Sequence, residues 1–122
     1  MTLSGTVRVF HCDDSSAFRV LVREMLHDLG GVELVGEAGS LDEALAKLPA
    51  AEPDVVLVDL FEPTRRVGLL AELREAAPGA RMLLYTGMPE EHVPAGAEGH
   101  VHKSVPFESL HRAINDLAAA PR

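Results

Sequence analysis

Along this chain, short runs of consecutive apolar residues alternate with longer stretches in which apolar residues recur at steps of three and four. The first pattern reads as strand and the second as helix. Val55-Val56-Leu57-Val58 is the plainest run. Three of its four residues are β-branched, and it ends abruptly at Asp59. An unbroken apolar run of this kind predicts a strand buried on both faces, at the middle of a parallel sheet.

The remaining elements fall in order around it. Val7 to Cys12 predicts a first strand, followed by Asp13-Asp14. Ser15 or Ser16 can cap the next helix, whose stripe is Phe18, Leu21, Val22, Met25, Leu26 and Leu29. Gly30-Gly31 closes it, and Val32 to Ala38 is a second strand. Ser40 with Glu43 forms a capping box for a helix carrying Ala44, Leu45 and Leu48, with Pro53 at its exit. After Asp59, Leu69, Leu70 and Leu73 mark a third helix, closed by Pro78-Gly79. Met82 to Tyr85 is a fourth strand ending at Thr86-Gly87, and His100 to Lys103 a fifth. Between them, Pro89, Pro94 and Gly96 leave space for little more than one helical turn. A last helix starts near Pro106 and aligns Phe107, Leu110, Ile114 and Leu117. Residues 117–122 read as a tail that frays or begins a linker. Strands alternating with helices predict an α/β domain with a parallel sheet and right-handed crossovers. At 122 residues, residues 1–122 are expected to be one domain.

Composition changes this picture in three ways. Aromatic residues are only 4% of the chain, so Val, Leu and Ala must build the core. The net charge of −8 leaves no basic surplus to displace counterions, which argues against direct nucleic-acid binding by this domain. The single cysteine, Cys12, rules out an intrachain disulfide and fits a reducing compartment. No apolar run approaches membrane-spanning length, and residues 1–5 lack the basic-then-apolar order of a signal peptide. The expected location is the cytoplasm.

The polar residues that interrupt the pattern gather at strand ends: Asp13 and Asp14, Asp59, Thr86 and Lys103. In a parallel sheet these ends share one edge, where ligands bind. Clustered carboxylates repel, and oxygen donors with room for water suit magnesium. No Cys/His spacing suggests zinc. One carboxylate could then act as a nucleophile toward a phosphoryl group. Thr86 and the backbone N–H of Gly87 could receive the phosphate oxygens.

With FHCDD, VVLVDLFEP, LLYTG and AGAEGHVHKSVP in this order, the chain resembles the receiver domain of bacterial two-component response regulators over essentially its whole length. The resemblance implies a flavodoxin-like, doubly wound sheet of five parallel strands in the order 2-1-3-4-5, with the acidic pocket at the switch point between strands one and three. It implies that Asp59 is the phosphoacceptor. Asp13, Asp14, Asp59 and the backbone carbonyl of Phe61 would hold Mg2+. Thr86 would be the switch hydroxyl, with Gly87 and Lys103 at the phosphate, and Pro63 also matches the family pattern. A sensor histidine kinase would supply the phosphoryl group, and the phosphate would bias a surface read by a downstream effector protein or an output domain. A homodimer is a further possibility, a membrane partner is not expected, and such a domain is a switch rather than an enzyme acting on a separate substrate.

Departures from the family shape further expectations. His100 stands where a switch aromatic usually lies. Its plainer reading, which is preferred, is a polar rim residue; the sharper one is a replacement for the aromatic that adds pH sensitivity. The 17 positions from Thr86 to Lys103 are about five fewer than usual, roughly one and a half turns. The helix there should be shortened or irregular and the output face altered. Glu62 replaces a commonly apolar residue, Gly68 sits one place late, and Arg65-Arg66 reads as a solvated helix start. Apolar Phe61 and Met88 imply slow loss of the phosphoryl group. His11 reads as a satisfied core side chain, Cys12 as small core packing, and a His100–His102 metal pair lacks a third ligand. Three other functions share parts of this pattern. One is a receiver-like interaction module independent of phosphorylation. A phosphohydrolase would want a second Asp at position 61, which is Phe. A flavin carrier would want a phosphate-cradling loop where Asp13-Asp14 stands.

Overall fold

The computed structural model describes residues 6–60, 68–89 and 96–121. Nine elements follow in order: β1 (Val7–Asp13), α1 (Ser16–Leu29), β2 (Val32–Ala38), α2 (Leu41–Ala51), β3 (Val55–Asp59), α3 (Leu69–Ala76), β4 (Arg81–Thr86), β5 (Gly99–His102) and α4 (Phe107–Ala119). The strands form one sheet in the order β2-β1-β3-β4-β5, and every pairing is parallel. This is the doubly wound order that the family resemblance implies.

Strand alternation divides the core in two. Phe10, Cys12, Val56, Val58, Met82 and Leu84 meet Leu41, Ala44 and Leu48 of α2 and Leu69 and Leu73 of α3. Val9, Val55, Leu57, Leu83 and Tyr85 meet Val22, Met25 and Leu26 of α1 and Leu110 and Ile114 of α4. All four core residues of β3 are fully buried, as a central strand covered on both faces requires.

Local chemistry sets the helix ends. Ser15 caps α1, its Oγ accepting from Phe18 N at 3.2 Å. Ser40 Oγ accepts from Glu43 N at 3.2 Å, and Glu43 Oε1 reaches back to Gly39 N at 2.7 Å. The reciprocal bond thus lands one residue before the cap rather than on it. Gly30 ends α1 with φ 74°, a conformation that costs glycine little.

Several boundaries differ from expectation. β5 covers Gly99–His102, one residue earlier than the pattern suggested, so Lys103 is the first residue beyond it. As an edge strand, β5 takes its limits from pairing with β4, and its last partner pair is Thr86 with His102. Leu21 and Leu29 of the α1 stripe are exposed, because the contact face is narrower than the apolar stripe. Residues 117–119 remain helical. The Arg81 guanidinium, donating to the carbonyls of Leu117 and Ala120, holds that end of α4. The shortened helix expected between the fourth and fifth strands falls on residues 90–95, outside the described residues. The described residues on either side, 87–89 and 96–98, are not helical.

Gly36 of β2 sits against a β1 irregularity, where the register shifts between Val9 and Phe10. A Cβ there would lie 2.5 Å from Phe10 Cε2, and Phe10 is fully buried. The Gly36→Ala variant is predicted to lose about 1–3 kcal/mol through overpacking, measured as a lower urea midpoint. An unchanged midpoint would mean that the Phe10 ring has room to move.

Candidate functional site

Parallel register puts Asp13 directly beside Asp59, at the ends of β1 and β3. Adjacent strands lie about 4.8 Å apart, so these carboxylates would repel without a counter-charge. Lys103 supplies it. Its Nζ is 2.6 Å from Asp59 Oδ2 and 2.7 Å from Asp13 Oδ2. The Lys103 backbone continues the sheet pattern past β5, its N–H donating to Thr86 O at 3.0 Å.

The ammonium also lies 4.0 Å from the centroid of the Phe18 ring, within cation–π range. Tyr85 stands edge-on to Phe18, with ring centroids 6.1 Å apart. Two aromatic residues, one from the first turn of α1 and one from β4, thereby wall the lysine side chain. Burial opposes the Lys103 charge, but Asp13 and Asp59 outweigh it and raise the ammonium above the ordinary lysine range. Burial likewise pushes the Asp13 carboxyl up. The pull of His11, Lys103 and the Ser15 N–H at 2.8 Å wins and holds it below the ordinary carboxylate range. Burial, with the nearby Asp13 charge, pushes Tyr85 up to about 12, so it stays a neutral phenol. Cys12 is pushed up by burial and then by Asp13, and remains a thiol.

The residues expected at the site are distributed as follows. Asp13 is fully buried and Asp59 partly so. Asp14 is exposed, so two carboxylates rather than three converge on the ammonium. Among the described residues, no three His, Cys, Asp or Glu side chains are grouped to hold a metal ion. Phe61, Glu62, Pro63, Arg65 and Arg66 lie outside the described residues. Thr86 is buried, and its Oγ1 accepts from Met88 N at 3.2 Å. Gly87 is exposed beside it. His100 is exposed on β5 and lines a groove shared with Ala113 and Asp116 of α4.

His11 departs from expectation. It is fully buried, yet neither ring nitrogen has a hydrogen-bond partner. Asp13 Oδ2 lies 3.6 Å from Nε2, too far for a hydrogen bond. In the sheet His11 lies between Leu57 of β3 and Glu37 of β2, and the Glu37 carboxylate is taken up by Arg23 of α1, its Oε2 2.8 Å from Arg23 Nε.

Sequence reasoning missed Phe18 and Arg19. Phe18 reads as one member of an apolar stripe, although its place in the first turn after the Asp pair was available as a signal. Arg19 Nη1 donates to the Asp13 backbone carbonyl and so fixes the strand end that carries the acid. One of two Arg residues in an amphipathic helix gives no hint of that bond.

A doubly wound parallel sheet with an acidic crevice at its switch point defines a class of small α/β domains. This chain belongs within it to the response regulator receiver domain family, whose model matches residues 9–115. It is 34% identical over 119 residues to the DNA-binding transcriptional activator DevR/DosR of Mycobacterium tuberculosis, covering 93% of this chain and 55% of that protein. The chemotaxis protein CheY of Halobacterium salinarum is 31% identical, with 93% of this chain and 98% of CheY covered. The signal receiver domain of the response regulator NarL from Mycobacterium tuberculosis superposes with a TM-score of 0.80 at 30% identity, covering 95% of this chain and 98% of that one. The chain spans little more than half the length of DevR/DosR and of the GacA regulators it also matches, but nearly all of CheY. Among the described residues, no helix is long and apolar enough to cross a membrane.

The charge trio makes stability depend on pH in a defined way. Asp13 titrates below its unfolded value, so its contribution is present above the ordinary carboxylate range and fades as pH falls through its lowered pKa. Lys103 titrates above its unfolded value, so its contribution is lost only as pH rises through that raised pKa. The full contribution therefore spans neutral pH. The Lys103→Met variant is predicted to lose about 1–3 kcal/mol at pH 7, the scale of leaving a buried acceptor without its donor. The deficit should shrink on acidification toward pH 4, as the stranded carboxylate takes up a proton. Urea titrations at both pH values check this, and a deficit independent of pH would refute it.

Proposed function

We propose that residues 1–122 form a single receiver domain that accepts a phosphoryl group on Asp59 from a sensor histidine kinase. The observation that carries this reading is the Lys103 ammonium bridging Asp13 and Asp59 at the open end of the sheet. Asp59 is the outer carboxylate of the pair. Its side chain is 18% exposed where that of Asp13 is fully buried, so an incoming phosphorus atom reaches it first. An Asp59 oxygen attacks phosphorus, the bond between phosphorus and the donor's imidazole nitrogen breaks, and that nitrogen keeps the electron pair. Lys103 then follows the negative charge onto the phosphate. Thr86 Oγ1 accepts from Met88 N–H and its own hydroxyl hydrogen is free to be donated to a phosphate oxygen, while the Gly87 backbone, with no Cβ, leaves room beside it.

Mg2+ fits the chemistry of the donors. Asp13 and Asp59 converge on the one ammonium; counting the exposed Asp14 that follows Asp13 at the same sheet edge, two negative charges are left for a divalent cation to balance. All the donors are oxygens, as a hard cation prefers, and the buried Asp13 Oδ2 has the Lys103 ammonium 2.7 Å away as its ion-pair partner. The Phe61 carbonyl would complete the protein's share. When bound, the cation would screen the repulsion between carboxylate and phosphoryl group. The domain would work in the cytoplasm as a switch. Its phosphorylated surface would be read by a downstream effector protein, by an output domain or by a second copy of the chain, with no direct contact to nucleic acid or membrane.

Intact mass after incubation with Mg2+ and acetyl phosphate tests the reading. The wild type is predicted to gain one phosphoryl group, and Asp59→Asn none. Removing Mg2+ with a chelator should abolish the gain. A folded wild-type protein that stays unmodified would instead point to an interaction module independent of phosphorylation.

A further inference from the structure

His102 sits between the two loops that carry the site, and both of its ring nitrogens are engaged. Nδ1 lies 3.0 Å from Ser104 N and 2.7 Å from Ser104 Oγ. Nε2 lies 3.2 Å from Gly87 O. The backbone settles the proton's place. Ser104 N–H can only donate, so Nδ1 accepts. Gly87 C=O can only accept, so Nε2 carries the hydrogen. Both bonds are made only by the neutral imidazole protonated at Nε2.

The bond to Gly87 reaches further than one carbonyl. Gly87 C=O and Met88 N–H belong to the same planar peptide unit. That N–H donates to Thr86 Oγ1 at 3.2 Å. One side of the unit is therefore held by His102 and the other holds the Thr86 hydroxyl. On its opposite side the imidazole grips Ser104, next to Lys103, whose own N–H is bonded to Thr86 O at 3.0 Å. The side chain is partly exposed and adds little to the core.

We infer that His102 is a positioning residue for phosphoryl acceptance: a clamp that sets the Gly87–Met88 peptide, and through it the Thr86 hydroxyl, relative to Lys103. It touches neither Asp59 nor the incoming group. Only three side-chain types bear on the test. Phe keeps the ring and loses both bonds. Gln keeps an amide able to donate to Gly87 O and to accept from Ser104 N–H. The native ring does both.

The inference rests on the receiver reading, so two measurements separate them. The first is the 15N spectrum of the wild-type imidazoles with the protein otherwise untouched. A protonated Nε2 and bare Nδ1 at His102 are expected, and the opposite tautomer would overturn the clamp whatever the protein does with phosphate. The second compares the saturating rate of adduct formation from acetyl phosphate with Mg2+ present. His102→Phe is expected to be slower by about tenfold, the scale of one or two neutral hydrogen bonds, with His102→Gln recovering a substantial part. The half-saturating Mg2+ concentration should be unchanged in both. A wild-type rate in His102→Phe would show that the ring acts by packing alone and would end the proposal. Absence of any adduct in the wild type would sink the receiver reading and its positioning role together, leaving the tautomer to judge the bonds.

Discussion

Two carboxylates stand opposite one another on adjacent strands, and a single ammonium makes that arrangement tenable. The parallel register of β1 and β3 leaves no freedom in the matter, because Asp13 is the partner of Asp59. Burial of Asp13 sharpens the repulsion. Lys103 must therefore arrive from β5, two strands away from β3 in the sheet, and be held there. The Phe18 ring under the ammonium, the Lys103–Thr86 backbone bond and the Ser15 N–H on Asp13 all serve this one electrostatic constraint. A chain that brought β5 in by another route would leave two buried-edge charges uncompensated.

The two faces of the sheet share the labour unequally. The α2/α3 face is mainly apolar, with Thr86 continuing the row of Met82 and Leu84 as its buried polar residue at the pocket. The α1/α4 face carries more of the pocket's polar groups, with His11, Asp13 and Tyr85 all buried there among Val9, Leu57 and Leu83. One layer supplies packing. The other gives up some packing for chemistry, and the His11 nitrogens and the Tyr85 hydroxyl are left without partners as a result. Unsatisfied buried polar groups in a native fold gather where function competes with stability.

Much of this was legible in the sequence because it repeats. Short continuous apolar runs and stretches with apolar residues at steps of three and four mark nine elements, and the order of strands and helices then limits the sheet to a few topologies. Asp59 stood out because a carboxylate ends an otherwise apolar run. What escaped notice has no period. The cation–π contact of Phe18 joins residues 85 positions apart, and Phe18 looks like any other apolar stripe residue. The His102 bond that spans the site runs to the backbone carbonyl of Gly87, 15 positions away, and backbone groups are the same in every residue. The strand limits of β5 depend on what β4 offers to pair with, which local pattern does not encode. The exposure of Asp14 follows from where β1 stops, a boundary one residue away from reading differently.

Arg81 has a mechanical meaning. Its guanidinium grips the carbonyls of Leu117 and Ala120, so the far end of α4 is pinned to the start of β4, at the edge of the sheet opposite the acids. A helix of this length measures about 20 Å. With one end fixed, any push on its first turn becomes a rotation about the arginine rather than a slide. A displacement of about 1 Å near Phe107 would tilt the axis by roughly 3° on that length. Such a tilt would turn about Arg81, and its largest displacement would fall at the Phe107 end, four residues after Lys103.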